Sequence, residues 1–496
     1  MTNRHTMITE LLKSGNPEQI ITELKTRPAN YPLPQTEDIK KQFNVTTHKV
    51  FDQTYRPKKL VKSINQETGS EEISYIDVAR IAFPFQKTIV KRAASFLFGS
   101  DVQLSYDTGG NQSLEKVAQM LKKILSATKS SNLNKQIART LFSETEVAEY
   151  WYPVRDENFW GKDSTAKFKL RCKIFSPFLG DTLYPHFDEY GDMDAFSRGY
   201  IMKEDNGTGG TVDIEYLDCF TREETIRFKK TTEGWVRIVF VNTDPQTGEQ
   251  TEVVSSPNMA RRIPIVFYYQ DYPDWQEVQN IIERFEDSLS NFADTNDYFA
   301  RPILTIDGEI RSMPEKAERG KIIETDTGVK ASYLTWDQAP EAIKLELDTL
   351  EQAIYANSQT PNISFEKVKG LGSLSGVAIK LLFMDAHLKA QDKIEIFGTA
   401  LQRRYNIIKG FIGSMDIALK GAADELEVSP VITPYMPSNE KELVDYLTTA
   451  AGGKAIMSRK TAIQLLGQTD DVEGELKQIE SEEQVTTSFE TQNATE

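Results

Sequence analysis

Residues 274–300 read DWQEVQNIIERFEDSLSNFADTNDYFA, and the spacing of their apolar positions decides the class of fold. Trp275, Val278, Ile281, Ile282, Phe285, Leu289 and Phe292 recur every three or four positions, which puts them on one stripe of an α-helix. About 26 residues make a rod of roughly 39 Å. A second helix is predicted near 340–357, and a third runs from 375 to about 420, roughly 60 Å if unbroken. Gly398, Gly410 and Gly413 are its candidate bends or ends. Upstream the period changes to two: between about 148 and 270, KFKLRCKIF, TVDIEYLD, TIRFKKT and WVRIVFVN alternate as strands do. The turn clusters DNGTGG and DPQTGEQ between them suit antiparallel hairpins. Residues 1 to about 60 read as short helices broken by Pro and Gly. A helical pattern resumes over 75–99, ending at Gly99, and two more helices are expected at 114–126 and 132–147. The class is α+β, a β-rich region set inside a helical chain, with no internal repeat.

Composition narrows the function. With 39% hydrophobic and 27% charged residues, the 496-residue chain reads as folded, with room for two to four domains. No apolar run reaches the roughly 18 to 20 residues that span a bilayer. The opening MTNRHTMITELLKSGNPEQ lacks the basic-then-apolar order of a signal peptide. Two cysteines, Cys172 and Cys219, argue against a disulfide framework and for a reducing compartment at synthesis. A net charge of −16 argues against tight nucleic-acid binding, which rests on Lys and Arg neutralising phosphates.

GLGSLSGVAIKLLF, residues 370–383, suggests a phosphate-binding loop and fails each test for one. The glycines do not fit G-x-G-x-x-G, Gly376 is followed by Val377 instead of Lys, and Leu374 stands where a nucleophile elbow needs serine. The pattern fits a helix start capped by Ser373 or Ser375, with Gly370, Gly372 and Gly376 freeing the preceding loop. Ser364 and Lys367 form an S-x-x-K without companion motifs. The four histidines are scattered, and Asp188, Glu189, Asp192 and Asp194 lack the spacing of a calcium loop. No catalytic, cofactor or metal constellation results.

Four stretches carry a more specific signal. IVKRAASFLFGSDVQL (89–104), RRIPIVFYYQDYPDWQEVQNIIERFEDSLSNFADTNDYFA (261–300), SLSGVAIKLLFMDAHLKA (373–390) and MSRKTAIQLLGQTDDVEGELKQIESEE (457–483) occur in that order. In order and spacing the chain resembles the portal proteins of tailed bacteriophages of the long-tailed, siphophage type. That resemblance implies a non-enzymatic ring, usually of twelve subunits, at one capsid vertex. It implies an N-terminal helical arm (1–24), a wing (25–272) with its β-rich part at 148–270, and a first stem helix (273–300). A small α/β clip (301–339) and a second stem helix (340–357) would follow. Next come a tunnel loop (358–374), a long helix returning to the wing (375–436), a helical crown (437–485) and a disordered tail (486–496). The implied partners are further copies of the chain, double-stranded DNA passing without sequence readout, the large subunit of the terminase motor, the head–tail connector, and the major capsid and scaffolding proteins. The implied location is the virion, and the host cytoplasm during assembly; no membrane is involved.

On that reading Lys367 and Lys369, with Ser364 and Glu366, lie on the tunnel loop and form basic rings able to touch a DNA backbone. Glu277, Glu283, Glu286, Asp287, Asp294 and Asp297, against Arg284 alone, give the first stem helix an acidic face that would repel phosphates along a channel or simply be solvated. Two other readings stand beside it. One is a different phage head or connector protein; the other is a metal-dependent nucleic-acid-processing enzyme built on Asp192 and Asp194.

Overall fold

The computed structural model describes residues 8, 11–13, 16–64, 69–161, 166–207, 209–243, 250–253, 255–299, 303–307, 310–312, 324–325, 330–334, 339–362, 381, 383–435, 440–452, 455–467, 469 and 472–493. The chain divides into two units, residues 1–360 with 388–434, and residues 361–387 with 435–496. Helix and sheet are mixed, as the periodicities require.

In the larger unit, α1 (Pro17–Leu24) starts on Asn16, whose side chain accepts from the Glu18 N–H, with Pro17 where no amide proton is needed. After α2 (Thr36–Phe43), β1 (Lys59–Ile64) and β2 (Glu71–Ile76) pair as an antiparallel hairpin whose described side chains along β2 are all exposed. Helices α3 (Phe85–Leu97), α4 (Gln112–Ala127) and α5 (Ser130–Glu144) follow, α3 and α4 being separated by the short β3 (Gln103–Ser105). The helical pattern read over 75–99 thus holds only from Phe85. Before it Ile76 still pairs with Lys59, and Pro84 stands at the helix start.

Helix α5 also stops short of the expected 147. Thr145 takes a left-handed φ of 69°, and β4 (Glu146–Arg155) begins at once. It runs between β5 (Phe168–Phe175) and β14 (Ile265–Tyr269) in a three-stranded antiparallel sheet. A second antiparallel sheet has the order β10-β9-β8-β7-β6, from β6 (Thr182–Phe187), β7 (Met193–Asp205), β8 (Thr211–Phe220), β9 (Glu224–Thr231) and β10 (Gly234–Arg237). Here β13 (Ser256–Pro257) also pairs with β9, and β11 (Phe240–Thr243) and β12 (Gln250–Val253) form a separate hairpin.

Alternation along the strands builds layers. Val147 and Trp151 of β4 and Val266 and Tyr268 of β14 join the helical core, whereas Ala148 and Ile265 meet Leu183, Phe196 and Phe220 of the larger sheet. That sheet's far face, with Leu217, Ile226, Phe228 and Trp235, is covered by Ile20, Ile21 and Leu24 of α1. The first helix described thus packs directly on this sheet. Arg27 locks it there, bonded to Glu146 at 2.8 Å and to the Leu183 carbonyl at 2.5 Å.

Next come a turn at Gln276–Val278 and α6 (Gln279–Phe299). Between α6 and α7 (Ala339–Asn357), the described residues form two antiparallel pairs, β15 (Ile303–Asp307) with β18 (Lys330–Leu334) and β16 (Ile310–Ser312) with β17 (Glu324–Thr325). Helix α8 (Met384–Met415) is 32 residues long, about 48 Å. It continues unbroken past Gly398, Gly410 and Gly413, so none of the three candidate bends or ends terminates it. Gly410 is there for a close approach, since a Cβ would meet the Ala260 carbonyl oxygen at 2.6 Å. After α9 (Lys420–Glu425), β19 (Ser429–Val431) returns to pair with β3.

The smaller unit contributes α10 (Glu440–Ala451), α11 (Arg459–Leu466) and α12 (Val472–Asn493). Ser458 caps α11 by accepting from the Thr461 N–H, and Gly467 ends it at a φ of 69°. The expected disordered tail is helical as far as Asn493.

One buried carboxyl makes stability pH-dependent. Burial pushes Glu144 up to about 7, although its side chain accepts the Phe178 N–H at 2.7 Å. Its folded value lies above its unfolded one of 4.5, so the folded chain binds the extra proton and this group's contribution falls as pH rises from 4.5 to about 7. Glu144→Gln keeps an acceptor and removes the charge. It is expected to gain stability over the parent between pH 5 and 8, by up to about 3 kcal/mol, in urea unfolding followed at each pH.

Candidate functional site

The carboxylates of α6 are the first feature that sequence reading singled out, and most are answered within the chain. Donors from residues 48–59 and backbone amides from 79–83 climb the helix one turn at a time. Lys49 reaches Glu283 at 3.1 Å, and His48 Nδ1 lies 2.8 Å from Glu286, which also accepts the Phe83 N–H at 2.9 Å. The Tyr55 hydroxyl donates to Asp287 at 2.5 Å. Arg56 spans Asn291 and Asp294, both at 2.8 Å, and Asp294 further takes Lys59 at 3.2 Å and the Ala79 N–H at 2.7 Å. Glu286 and His48 are buried, so Glu286 belongs to neither a channel wall nor a solvated face. Glu277 and Asp297 alone of the six are exposed. Arg284 pairs with Glu346 of α7 at 2.7 Å, which ties α6 to α7, and Phe285 meets Phe85 of α3 edge-on at 5.3 Å, which ties α6 to α3.

A second cluster, unmarked by any motif, gathers where α6 begins, α7 ends and α8 begins. Asp274, its side chain almost without exposure, accepts from Lys393 Nζ at 2.8 Å and has Lys389 Nζ at 3.1 Å. The Lys389 contact lies off the hydrogen-bonding direction of Oδ2, so charge more than a directed bond carries it. Lys389 also donates to the Ser358 carbonyl at 3.1 Å, and Lys393 to Gln270 at 2.9 Å while lying over the Phe142 ring. Gln359, just past α7, takes a left-handed φ of 51°. Whatever path residues 359–388 follow, the chain leaves and returns at one ion-paired point. A cavity of about 740 Å³ opens beside it. Burial raises the cost of charge on Asp274, but Lys389 and Lys393 outweigh it and hold the carboxyl below its ordinary 3.8. The only sequence sign of this joint was Lys389 and Lys393 four apart on one helix face.

The remaining sequence candidates, Ser364, Glu366, Lys367, Lys369, Gly370, Gly372, Ser373, Ser375 and Gly376, lie outside the described residues. In the acidic cluster, Asp188 accepts the Tyr190 and Asp192 N–H groups at 2.9 Å, a turn between β6 and β7. Among the described residues no three His, Cys, Asp or Glu side chains are grouped to hold a metal, and no helix is long and apolar enough to cross a membrane.

Residues 32–488 match the family of phage portal proteins described as SPP1 Gp6-like. The chain belongs to that family, whose members are structural components of the phage particle. No curated protein matches it. Among solved structures, similar chains occur in the neck of an empty gene transfer agent particle computed with C6 symmetry and in the virion of the native particle. In each, identity is 11%, coverage is 78% of this chain and 89% of the other, and the TM-score is 0.37.

The joint gives a stability prediction. Asp274→Asn leaves two part-buried lysines without their counter-charge and is expected to cost about 3 kcal/mol, read as a lower melting temperature at pH 7. Lys393→Met added to it should recover part of the loss. The depressed carboxyl stabilises the fold above its unfolded value and loses that effect as pH falls through its folded value, so parent and Asp274→Asn should converge in acid.

Proposed function

We propose that this chain assembles with further copies of itself into a ring of twelve at one capsid vertex, whose channel passes double-stranded DNA inward during packaging and outward at ejection. The observation that carries it is the family match over residues 32–488. Two features support a multi-subunit state. The β1–β2 hairpin exposes Leu60, Ile73, Tyr75 and Ile76, and the smaller unit exposes Val444, Tyr446, Ile456 and Leu465, apolar surface that a free monomer leaves in water.

In this proposal α6 and α7 form the stem, and residues 301–339 form the clip that docks the terminase large subunit and later the head–tail connector. Residues 358–374 form the tunnel loop and 437–485 the crown. Major capsid and scaffolding proteins contact the ring during assembly in the host cytoplasm. ATP is consumed by the docked motor, and GLGSLSG serves as a hinge. Glu277 and Asp297 are the stem carboxylates left to repel DNA phosphates, the others being committed within the chain. The Asp274 joint holds the chain at Ser358, where the loop begins, and again at Lys389 on the helix that follows it, so force on the loop is delivered to the start of the stem.

Native mass spectrometry with negative-stain microscopy is expected to show a ring of about twelve subunits with a central channel. A species that stays monomeric even with scaffolding and capsid proteins present overturns the proposal. Lys367→Glu with Lys369→Glu should leave rings intact and lower nuclease-protected DNA per particle; unchanged packaging removes the loop lysines from any contact with DNA.

A further inference from the structure

A cavity of about 580 Å³ lies between the second half of α8, the 258–263 loop and α9. Its charge runs against that of the chain. Arg222, Arg261, Arg262, Arg403, Lys409 and Lys420 line it against Asp192 and Asp424, six cations to two carboxylates and an excess of four, in a protein of net charge −16.

The cations are poorly paired. Arg262 approaches Asp424 only to 3.8 Å, and among the described residues Arg222, Arg261 and Lys420 have no acidic partner. Arg403 donates through Nε to the Ile265 carbonyl at 2.8 Å and sets Nη2 against the Met193 sulfur at 3.4 Å. Its Nη1 has no protein partner among the described residues. Lys409 is buried and donates to the Leu426 carbonyl. Burial pushes the Arg403 guanidinium below its ordinary value, Arg222 and Arg262 adding to it against Asp192, and burial with Arg262 does the same to Lys409 against Asp424 and Glu427. Charge crowded in this way is relieved by an anion.

The walls are fixed in advance. Gly410 lets α8 touch the Ala260 carbonyl, Ser414 donates to the Met259 carbonyl at 2.5 Å, and Asn258 donates to the carbonyls of Thr221 and Arg262 at 3.0 and 2.5 Å. Thr399, Gln402 and Asn406, spaced three and four apart on α8, add neutral hydrogen-bonding groups to the same cavity.

We propose that this cavity is a binding site for a phosphate-bearing polyanion. A single carboxylate leaves most of the excess charge uncompensated, whereas a phosphate chain offers several anionic oxygens matched to guanidinium forks and amide donors. The source is a free polyphosphate or the backbone of DNA, and the site does not depend on ring formation.

The test titrates sodium tripolyphosphate into the full-length protein calorimetrically at low salt, where such binding is least screened. Saturable binding of one per chain is expected. Arg222→Gln with Lys420→Gln, both exposed and making no ion pair, should weaken it on the order of tenfold. Lys91→Gln with Lys203→Gln should leave it unchanged. Circular dichroism checks that each variant is folded. Absence of saturable binding, or equal affinity in the Arg222/Lys420 variant, overturns the proposal. Displacement by a DNA duplex at matched phosphate concentration identifies the backbone as the source; retention of tripolyphosphate identifies a free polyphosphate.

Discussion

Arg404 is the side chain on which the larger unit depends. Fully buried in the middle of α8, it meets Glu149 of β4 through two nitrogens, Nε at 2.9 Å and Nη2 at 2.5 Å, while Nη1 reaches Asn134 of α5 at 2.5 Å. Glu149 in turn accepts from the Tyr268 hydroxyl and from the Trp151 indole at 2.8 Å. Burial works against the guanidinium charge, and Glu149 more than offsets it, so the group is held above its ordinary value. An isolated charge at this depth costs several kcal/mol, and replacing both partners by apolar groups can be neutral. The net worth of such a pair is therefore specificity of register. If α8 slides by one turn, about 5 Å, both charges are stranded.

That fixed register makes α8 a ruler for everything along it. Phe397, two turns before Arg404, packs edge-on against Phe98 and Phe142 at 5.0 and 6.2 Å and at a tilt against Tyr268 at 5.1 Å, joining the end of α3, α5 and β14 in one core. Lys393 and Lys389 continue the same side of the helix and arrive at Asp274. Gly410, beyond Arg404, arrives at the Ala260 carbonyl. The loop joint and the basic cavity sit near opposite ends of one rod whose position is set between them. Each is built by residues that come into play only because Arg404 has one place to be.

Patterns that live on a single element were legible in the sequence. The apolar stripe of 275–292 marked α6, period-two runs marked β5, β8 and β9, and Gly207 and Gly209, both with positive φ, lie in the turn that DNGTGG announced. Where two elements compete for one segment, the reading erred. Glu146 and Val147 continue the helical pattern of α5 but pair with Tyr269 and Tyr268, and strand pairing won once Thr145 reversed the chain. The functional elements depend on residues far apart in the chain. Nothing local in Glu286 or Asp294 says that His48 and Arg56 lie opposite, more than 200 positions away. An acidic run therefore read as a bare face when it is mostly a clamp.

The same reasoning limits what net charge can exclude. A total of −16 rules out a broadly adhesive, DNA-coating surface, because long-range attraction follows the summed field. It does not rule out an anion site, which needs only local charge left unpaired. On α6, carboxylates that dominate the count are cancelled within the fold by Lys49, Arg56 and Lys59. In the cavity beside α8, cations that are a minority in the count outnumber the lining carboxylates six to two. What a ligand feels is the remainder after such pairing. In this chain the remainder has the opposite sign to the total where walls, donors and cations converge on the cavity beside α8. The proposed acidic channel and a basic pocket are compatible, because the first would act on a polyelectrolyte over a Debye length and the second by contact.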